Sequence, residues 1–534
     1  LKKFVNDVNS KEFPTPKNQF FLVLGERHEN DGTYKLNPLW YRITERGLFT
    51  SMVVFGGVGS GKTAAVAYPL LRQFFEFKPD SEDQKIGGLV LEVKGDFNAK
   101  VSELAAEYGR TDDVIRIKPN GAFKWNPIHA PDTDTEVLAG RMTAIYENMT
   151  GDSGTGDSAW INQGVQKLLT HAIGFTRIID GYITIKSING IISKLAFDDE
   201  DAEDKIKQII ADYSSKKKTA LSDDEKEELE YHTSYFSNEW ITDNPKNRGT
   251  IINATKNITG LFSKPAIAKT FCPPINEIDF HGFNDVIDKG QIVTLDMPKS
   301  KYGVVASAIG ILLKLEFQRA ALERVSRAIS DPKTNTKRNL FFICDEYQNF
   351  VTASGSSGEG DDAFYAESRQ SKCISMVLTQ SPISLQSKIG EEAMRTVLAS
   401  IRNKIFLTII DPQDAELAAD ICGKDWRAIE SITLNEQIQD AGWNPIDNSM
   451  SGSNSSVSEQ IGFNTQMTHL IDPIVFQRLR SFECIANTFD GIAQKDPVKI
   501  FLKADFVPDK YKQTHTSRTL PFNKMISELK EVEE

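Results

Sequence analysis

The stretch Met52–Thr63 reads MVVFGGVGSGKT, and the fold of the chain can be argued outward from it. It begins with a short apolar, β-prone run and passes directly into the pattern G-x-x-x-x-G-K-[ST]. The residues that follow, Thr63-Ala-Ala-Val-Ala-Tyr, fit the start of a helix. Strand, glycine-rich loop and helix in this order are the context that a phosphate-binding loop requires. The stretch therefore predicts a site for the phosphates of a nucleotide.

Each residue type in this loop has a chemical reason to be there. Glycines let a phosphate chain lie against the backbone, whose N–H groups form an anion-binding nest. The following helix adds the positive end of its dipole. Lys62 can reach the β- and γ-phosphates, and the Thr63 hydroxyl can bind Mg²⁺. The predicted nucleotide-binding residues are Gly56, Gly57, Val58, Gly59, Ser60, Gly61, Lys62 and Thr63.

Composition describes an ordinary globular protein. The chain has 534 residues, a length that allows two to four domains. Its residues are 40% hydrophobic and 25% charged, as in ordinary globular proteins. The net charge of −12 excludes a surface that is basic all over, but it does not exclude a local basic channel. The five scattered cysteines show no C-x-x-C spacing, so neither a disulfide framework nor a zinc site is expected. No apolar run approaches the length of a transmembrane helix.

Short apolar runs alternate with helical patterns on both sides of a long strand-free region. The runs are typical of buried strands in a parallel sheet, and the alternation predicts a doubly wound α/β fold. Between about 134 and 285 the pattern is helical, with one buried stripe that includes Val165 and Leu168. The expected domains are 1–133 (first half of the nucleotide-binding domain), 134–285 (inserted all-α domain), 286–520 (second half) and 521–534 (acidic tail).

A second chemical signal lies far along the chain from the phosphate loop. The run Leu340–Cys344 ends in Asp345-Glu346, which delivers two carboxylates at the carboxyl end of a strand. We expect Asp345 to hold Mg²⁺ and Glu346 to polarise the attacking water. A kinase needs no water-activating acid beside its metal-binding aspartate, so the pair favours hydrolysis.

Two further polar residues flank the next predicted strand. Gln380 follows that strand, where it can sense the γ-phosphate or order the water, although a simple hydrogen bond to a loop is the alternative. Arg369, eleven residues earlier, can reach a neighbouring subunit's site as an arginine finger or can form a surface ion pair.

Three later segments carry expectations about structure alone. Residues 351–363 are rich in Gly, Ser and acids and predict a flexible loop or a loop that faces a central pore. Residues 448–460 are rich in Ser, Asn and Gly and predict a surface loop. Val498–Leu502 predicts a late edge strand.

Taken together, the motifs resemble those of the type IV secretion coupling proteins of the TraG/TraD type, within the FtsK/HerA group of ring ATPases. The resemblance covers nearly the whole chain and rests on the order and spacing of GGVGSGKT (56–63), EVKGDF (92–97), WNPI (125–128), LDMP (295–298), CDEYQN (344–349), Arg369 with Gln380, and AELAADICGK (415–424).

The resemblance implies a RecA-like ATPase domain with an all-α insert, assembled as a homo-hexamer. It implies ATP and Mg²⁺ as cofactors and delivery of DNA, or of secreted protein, to a channel at the cytoplasmic face of the bacterial inner membrane. Relaxase and secretion-channel components are the implied partners. The DNA is expected to be single-stranded. Because no basic-aromatic stretch stands out as a base-stacking platform, we expect the protein to track the DNA backbone without sequence preference.

Two departures from the family pattern accompany the resemblance. The family commonly has D-P-K-G-E where this chain has Glu92-Val-Lys-Gly-Asp96, so no role is transferred to that turn. Family members commonly carry N-terminal membrane helices, and this sequence shows none. We therefore expect either that such a segment was cut away or that this is a soluble variant recruited by partners.

Two alternatives stay open beside the coupling ATPase. The first is a soluble FtsK/HerA-like DNA translocase without a secretion role. The second is a substrate-receptor platform that binds nucleotide and hardly hydrolyses it.

Overall fold

The structure is a computed structural model that describes residues 7–9, 14–27, 39–151, 159–195, 202–215, 221–355, 358–439, 443–450 and 454–504. The predicted acidic tail at 521–534 lies outside these residues. The chain divides into two compact units, of which the larger comprises Leu1–Ile409 with Leu479–Glu534 and the smaller comprises Ile410–Arg478.

The strands, in chain order, are β1 Asp7–Asn9, β2 Phe21–Arg27, β3 Leu39–Thr44, β4 Met52–Phe55, β5 Gly87–Leu91, β6 Val114–Ile117, β7 Ile292–Leu295, β8 Leu340–Cys344, β9 Cys373–Thr379, β10 Asn403–Phe406, β11 Lys424–Gln439, β12 Trp443–Asn444, β13 Ser449–Met450, β14 Asn454–His469, β15 Glu483–Asn487 and β16 Val498–Leu502.

The helices are α1 Glu45–Leu48, α2 Tyr68–Glu76, α3 Asp96–Glu107, α4 Thr135–Thr150, α5 Ala159–Asp180, α6 Ile185–Lys194, α7 Ala202–Ser214, α8 Asp223–Ser234, α9 Pro245–Thr259, α10 Pro265–Phe271, α11 Phe283–Lys289, α12 Lys299–Tyr302, α13 Val304–Ser330, α14 Asp361–Glu367, α15 Pro382–Ser400, α16 Pro412–Cys422 and α17 Pro473–Gln477. Within the described ranges, every helix is too short or too polar to cross a lipid bilayer.

Among the described residues, one 12-stranded sheet organises the larger unit, with the order β1-β3-β2-β16-β15-β10-β4-β9-β8-β5-β7-β6. The strands from β10 to β6 are parallel, and those from β1 to β15 extend the sheet with antiparallel pairs. Every residue of β4 and of β8 is buried, as expected for strands covered on both faces. The mostly parallel α/β sheet predicted from the sequence is confirmed.

Between β6 and β7 the described residues form the helices α4 to α11 with connecting turns, and none of these described residues belongs to a strand. The stripe predicted on α5 is buried, since Val165, Leu168, Leu169 and Ala172 are all inaccessible to solvent. The bounds 134–285 for a separate all-α domain stay a prediction, because the larger unit contains these helices together with the sheet.

The smaller unit consists of α16, the antiparallel ribbon of β11 and β14, the short pair β12–β13, and α17. The sequence patterns did not single out these residues as a unit of their own. The loop predicted over 448–460 is wrong from Asn454 onward, because β14 begins there and pairs along its length with β11, whereas 451–453 lie outside the described residues. Backbone pairing overrides the loop-like composition there.

Two other local predictions are also corrected. Val498–Leu502 forms β16, but this strand lies between β15 and β2 rather than at an edge, since position in the chain does not fix position in the sheet. The segment 351–363 is not a flexible loop throughout, since it runs into α14, and the alternative of a loop that faces a central pore stays a prediction. Its Asp361 is fully buried at the start of α14, where it pairs with Lys314 of α13 and accepts a hydrogen bond from the Thr352 N–H (2.8 Å).

Candidate active site

Four neighbouring parallel strands deliver the candidate residues to one edge of the sheet. The strands lie in the order β4, β9, β8 and β5, and the residues that follow them are Gly56, Gln380, Asp345 and Glu92. Because the carboxyl ends of parallel strands meet at the same edge, residues more than 300 positions apart converge there. The phosphate loop and the paired acids therefore belong to one sheet and one site.

The phosphate loop is anchored at its base by the neighbouring strands. The Gly56 N–H donates to the Thr379 carbonyl (3.3 Å), and the Gly57 N–H donates to the Thr408 carbonyl (2.9 Å). Gly59 and Gly61 adopt φ angles of 77° and 91°, which favour glycine at both positions. The loop leads into a π-helical turn at Lys62–Ala67 and then into α2.

Lys62 lies across the loop that precedes it. Its side chain is largely buried, and its Nζ donates to the carbonyls of Gly56 (2.5 Å) and Gly57 (3.2 Å). Burial lowers the pKa of Lys62, while the charges of Glu346 and Asp345 act in the opposite direction. The ammonium is thus held at the loop and faces the two acids.

The predicted metal ligands are in direct contact. The Thr63 Oγ1 donates to the Asp345 Oδ2 at 2.9 Å, and the Asp345 N–H donates to the Leu91 carbonyl of β5 at 2.9 Å. Burial raises the pKa of Asp345, and the hydrogen bond from Thr63 partly offsets this. A nearby cation would stabilise the charged form of this buried carboxylate. Together with the Thr63 hydroxyl, it provides oxygen ligands that fit Mg²⁺.

Glu346 has an unusual backbone for a residue with a side chain. Its φ and ψ are 51° and 50°, in the left-handed region. Its Oε2 accepts hydrogen bonds from the side-chain amides of Gln348 (2.7 Å) and Gln380 (3.2 Å), and its Oε1 lies 3.5 Å from the Lys94 Nζ. Strained backbone at a residue with a reactive side chain is typical of functional sites.

The surroundings of Glu346 keep it in its charged form. Burial by itself raises the pKa of this carboxyl, but the hydrogen bonds from Gln348 and Gln380 and the charges of Lys62 and Lys94 outweigh that effect. The net result is a pKa below the usual value for glutamate. The group can therefore accept hydrogen bonds from water near neutral pH.

Gln380 and Arg369 have very different positions. The structure brings Gln380, at the end of β9, into contact with Glu346, and its role as a phosphate sensor or water-ordering group stays a prediction. Arg369 is exposed in a turn, Ser368–Ser371, that precedes β9. The seven residues of β9 separate it from Gln380, a span of roughly 20 Å. Arg369 is thus not part of its own chain's site.

Three residues of this edge were missed from the sequence. Gln348 positions Glu346, and Lys94 approaches it from β5. Glu92 organises the turn that carries Lys94, because its buried carboxylate accepts the N–H groups of Lys94 (3.1 Å) and Phe97 (2.9 Å). A signal was available, since the motif EVKGDF follows a predicted parallel strand, whose end lies at the same edge as the acids.

Comparisons with known proteins support this assignment of the fold. Residues 339–464 match a family model described as the TraM recognition site of TraD and TraG. This match begins just before β8 and includes Asp345, Glu346 and Gln380. No curated protein matches the chain at a significant level.

Several solved structures share the fold over almost the whole chain. An unbound form of the bacterial conjugative coupling protein TrwB has a TM-score of 0.54 at 13% identity, covering 93% of this chain and 98% of that one. TrwB with the GTP analogue GDPNP has a TM-score of 0.53 at 12% identity and covers 93% and 99%. TrwB with the ATP analogue ADPNP gives 0.51 at 12% identity and covers 95% and 99%. These comparisons confirm the predicted RecA-like fold and the resemblance to coupling proteins of the TraG/TraD type.

Proposed function

We propose that this chain, which resembles the TraG/TraD-type coupling proteins, is an ATP-hydrolysing coupling protein of a type IV secretion or conjugation system. The observation that carries the proposal is the contact between Thr63 and Asp345, with Glu346 next in the chain. It unites a phosphate loop with a metal-binding acid and a water-activating acid. Such a combination performs phosphoryl transfer to water.

In this mechanism different residues of the chain bind the phosphates, hold the metal ion and activate the water. The backbone N–H groups of the loop and the Lys62 ammonium hold the triphosphate of ATP. Thr63 and Asp345 would hold Mg²⁺, which supplies neutralisation of the phosphate oxygens. Glu346 accepts a proton from the attacking water as the bond to the γ-phosphorus forms. The bond from that phosphorus to the β-phosphate oxygen breaks, and ADP and inorganic phosphate leave.

Gln348 and Gln380 support Glu346 in this scheme. Each donates a side-chain amide hydrogen to the same carboxylate oxygen, Oε2, whereas the other oxygen, Oε1, lies 3.5 Å from the Lys94 ammonium. Gln380 is also the proposed sensor of the γ-phosphate. Arg369 is proposed to act on the site of a neighbouring subunit, since it lies at the other end of β9 from its own.

We propose that the hydrolysis cycle drives DNA, single-stranded and without sequence preference, or secreted protein towards a secretion channel. The proposed assembly is a homo-hexamer at the cytoplasmic face of the bacterial inner membrane, with relaxase and channel components as partners. The support is the match of residues 339–464 to a family described by its recognition of TraM, together with the fold shared with TrwB. The proposed domain bounds remain 1–133, 134–285, 286–520 and 521–534.

Hydrolysis is tested with purified protein, with and without single-stranded DNA. We expect ATP turnover well above that of Lys62→Ala. Glu346→Gln should retain nucleotide binding and lose at least about 10²-fold in turnover, the scale of a lost general base. Wild-type turnover no higher than that of Lys62→Ala would favour a receptor platform instead. Normal turnover by Glu346→Gln would show that another acid activates the water.

A further inference from the structure

The turn after β5, residues 92–97, is held by several hydrogen bonds, although the sequence assigned it no role. Gly95 adopts a φ of 100°, and a Cβ at this position would lie 3.1 Å from Pro298. The Val93 carbonyl accepts the Lys299 N–H at 2.8 Å. With the Glu92 carboxylate holding its N–H groups, the turn presents Lys94 in a defined place at the edge of the sheet.

Lys94 lies beside the catalytic acid and is still partly exposed to solvent. Its Nζ is 3.5 Å from Glu346 Oε1, and 57% of its side chain remains exposed. An ammonium has three donors, so a contact with Glu346 leaves two for other acceptors. Its charge also acts on Lys62 and Asp345, whose pKa values it shifts downwards.

We propose that Lys94 is a second cationic contact for the terminal phosphate of the nucleotide, supplied by the turn after β5 in addition to Lys62 from the phosphate loop. The inference rests on the proposed function. In the proposed reaction the attacking water lies between Glu346 and the γ-phosphorus. The terminal phosphate oxygens are therefore about one water molecule away from the Glu346 carboxylate. The Lys94 ammonium lies beside the same carboxylate, and the flexible four-carbon stem of lysine allows it to reach these oxygens.

The contact also links the terminal phosphate to the segment after the catalytic acid. The Lys299 N–H is bound by Val93, next to Lys94, and the Lys299 Nζ donates to Asn349 Oδ1 (2.5 Å). The Asn349 side-chain amide in turn donates to the Glu346 carbonyl (2.9 Å). The turn that senses the terminal phosphate is therefore tied by hydrogen bonds to the backbone of Glu346.

The test compares equilibrium binding of ADPNP, which has a terminal phosphate, with binding of ADP, which lacks it. We expect Lys94→Met to weaken ADPNP binding by about 10- to 100-fold, the range of one charged hydrogen bond, and to change ADP binding by less than about twofold. Lys94→Arg should recover much of the loss. Lys118→Met is the matched control, since Lys118 is exposed at the end of β6 on the same sheet edge.

The outcomes separate this inference from the proposed function. Equal weakening of ADPNP and ADP by Lys94→Met, or no change in either, would overturn the contact with the terminal phosphate. A loss with Lys118→Met as large as that with Lys94→Met would also overturn it. If Lys94→Met weakens the binding of ADPNP but not of ADP, and the wild-type protein does not hydrolyse ATP, the proposed hydrolysis is refuted and this inference stands.

Discussion

At Glu346 the backbone has φ 51° and ψ 50°, a conformation that costs a residue with a Cβ roughly 1–2 kcal/mol. The surrounding structure enforces it, because the Asn349 N–H and the Asn349 side-chain amide both donate to the Glu346 carbonyl at 2.9 Å. The left-handed conformation turns the chain sharply after β8 and helps to place the Glu346 carboxylate beside Gln348 and Gln380. Strain and chemistry thus occur at the same residue.

This strain predicts an order of stability between two inactive variants. Glu346→Gly should be more stable than Glu346→Ala by about 1 kcal/mol, because glycine adopts the left-handed conformation without a steric cost. The same pair at Glu103, in the middle of α3, should show the reverse order, since alanine is the better helix former by about 1 kcal/mol. Apparent Tm values of the four variants measure both differences. An alanine variant at 346 as stable as the glycine variant would show that the backbone there is not strained.

The residues of the site divide by how far sequence reasoning could identify them. Lys62 and Thr63 follow from one local motif, and Asp345 with Glu346 follows from an acidic strand end. Lys94 follows a predicted parallel strand, which indicates the carboxyl end of the sheet, but its contact with Glu346 depends on β5 lying beside β8. That neighbourhood is set by packing of the whole sheet and is not encoded in the spacing of 92–97.

Among the elements, the buried parallel strands were the easiest to predict. Runs such as Val114–Ile117 and Leu340–Cys344 are apolar and bounded by polar residues, so composition alone indicates them. β14 was missed because its serines and asparagines are typical of loops, and only the pairing with β11 makes it a strand. Pairing partners are distant in sequence, and so local patterns do not reveal them.

Helices α13 and α14 are joined by a pair of charges that is inaccessible to solvent. Lys314 on α13 and Asp361 at the start of α14 are both 0% exposed, and Gln318 also donates to Asp361 (2.7 Å). Thr352 contributes its N–H to Asp361 and accepts from the Lys314 ammonium at 2.9 Å. These contacts fix the segment that follows the catalytic acid onto α13.

Breaking this pair should be far more damaging than breaking an exposed one. Lys314→Met leaves the Asp361 carboxylate buried without its countercharge, and we expect a loss of about 3–5 kcal/mol of stability. Lys289→Met removes an exposed i,i+4 pair with Asp285 and should cost at most about 0.5 kcal/mol. Thermal unfolding of both variants gives the comparison. Similar apparent Tm values for the two would show that the buried pair does not hold the segment.

At the scale of the whole molecule, the two ends of the parallel strands differ in function. The carboxyl edge carries Lys62, Asp345, Glu346 and Gln380, whereas Arg369 precedes β9 and so lies at the opposite edge. An arginine roughly 20 Å along the strand from its own site cannot neutralise charge there. If Arg369 serves hydrolysis, the site that it serves belongs to another copy of the chain.

Subunit mixing tests this role directly. Arg369→Ala keeps its own phosphate loop and acids but lacks the arginine, whereas Lys62→Ala lacks turnover and still presents Arg369. We expect each variant alone to be nearly inactive in the assembled state, and the mixture to hydrolyse ATP faster than the sum of the two. The reason is that a mixed interface pairs an intact site with an intact arginine, which in related transfer reactions contributes about 10³–10⁵ in rate. Arg395→Ala, which alters an exposed arginine on α15, should leave turnover unchanged. Loss of activity by Arg369→Ala in dilute monomer, or mixed assemblies no more active than their parts, would exclude action across a subunit interface.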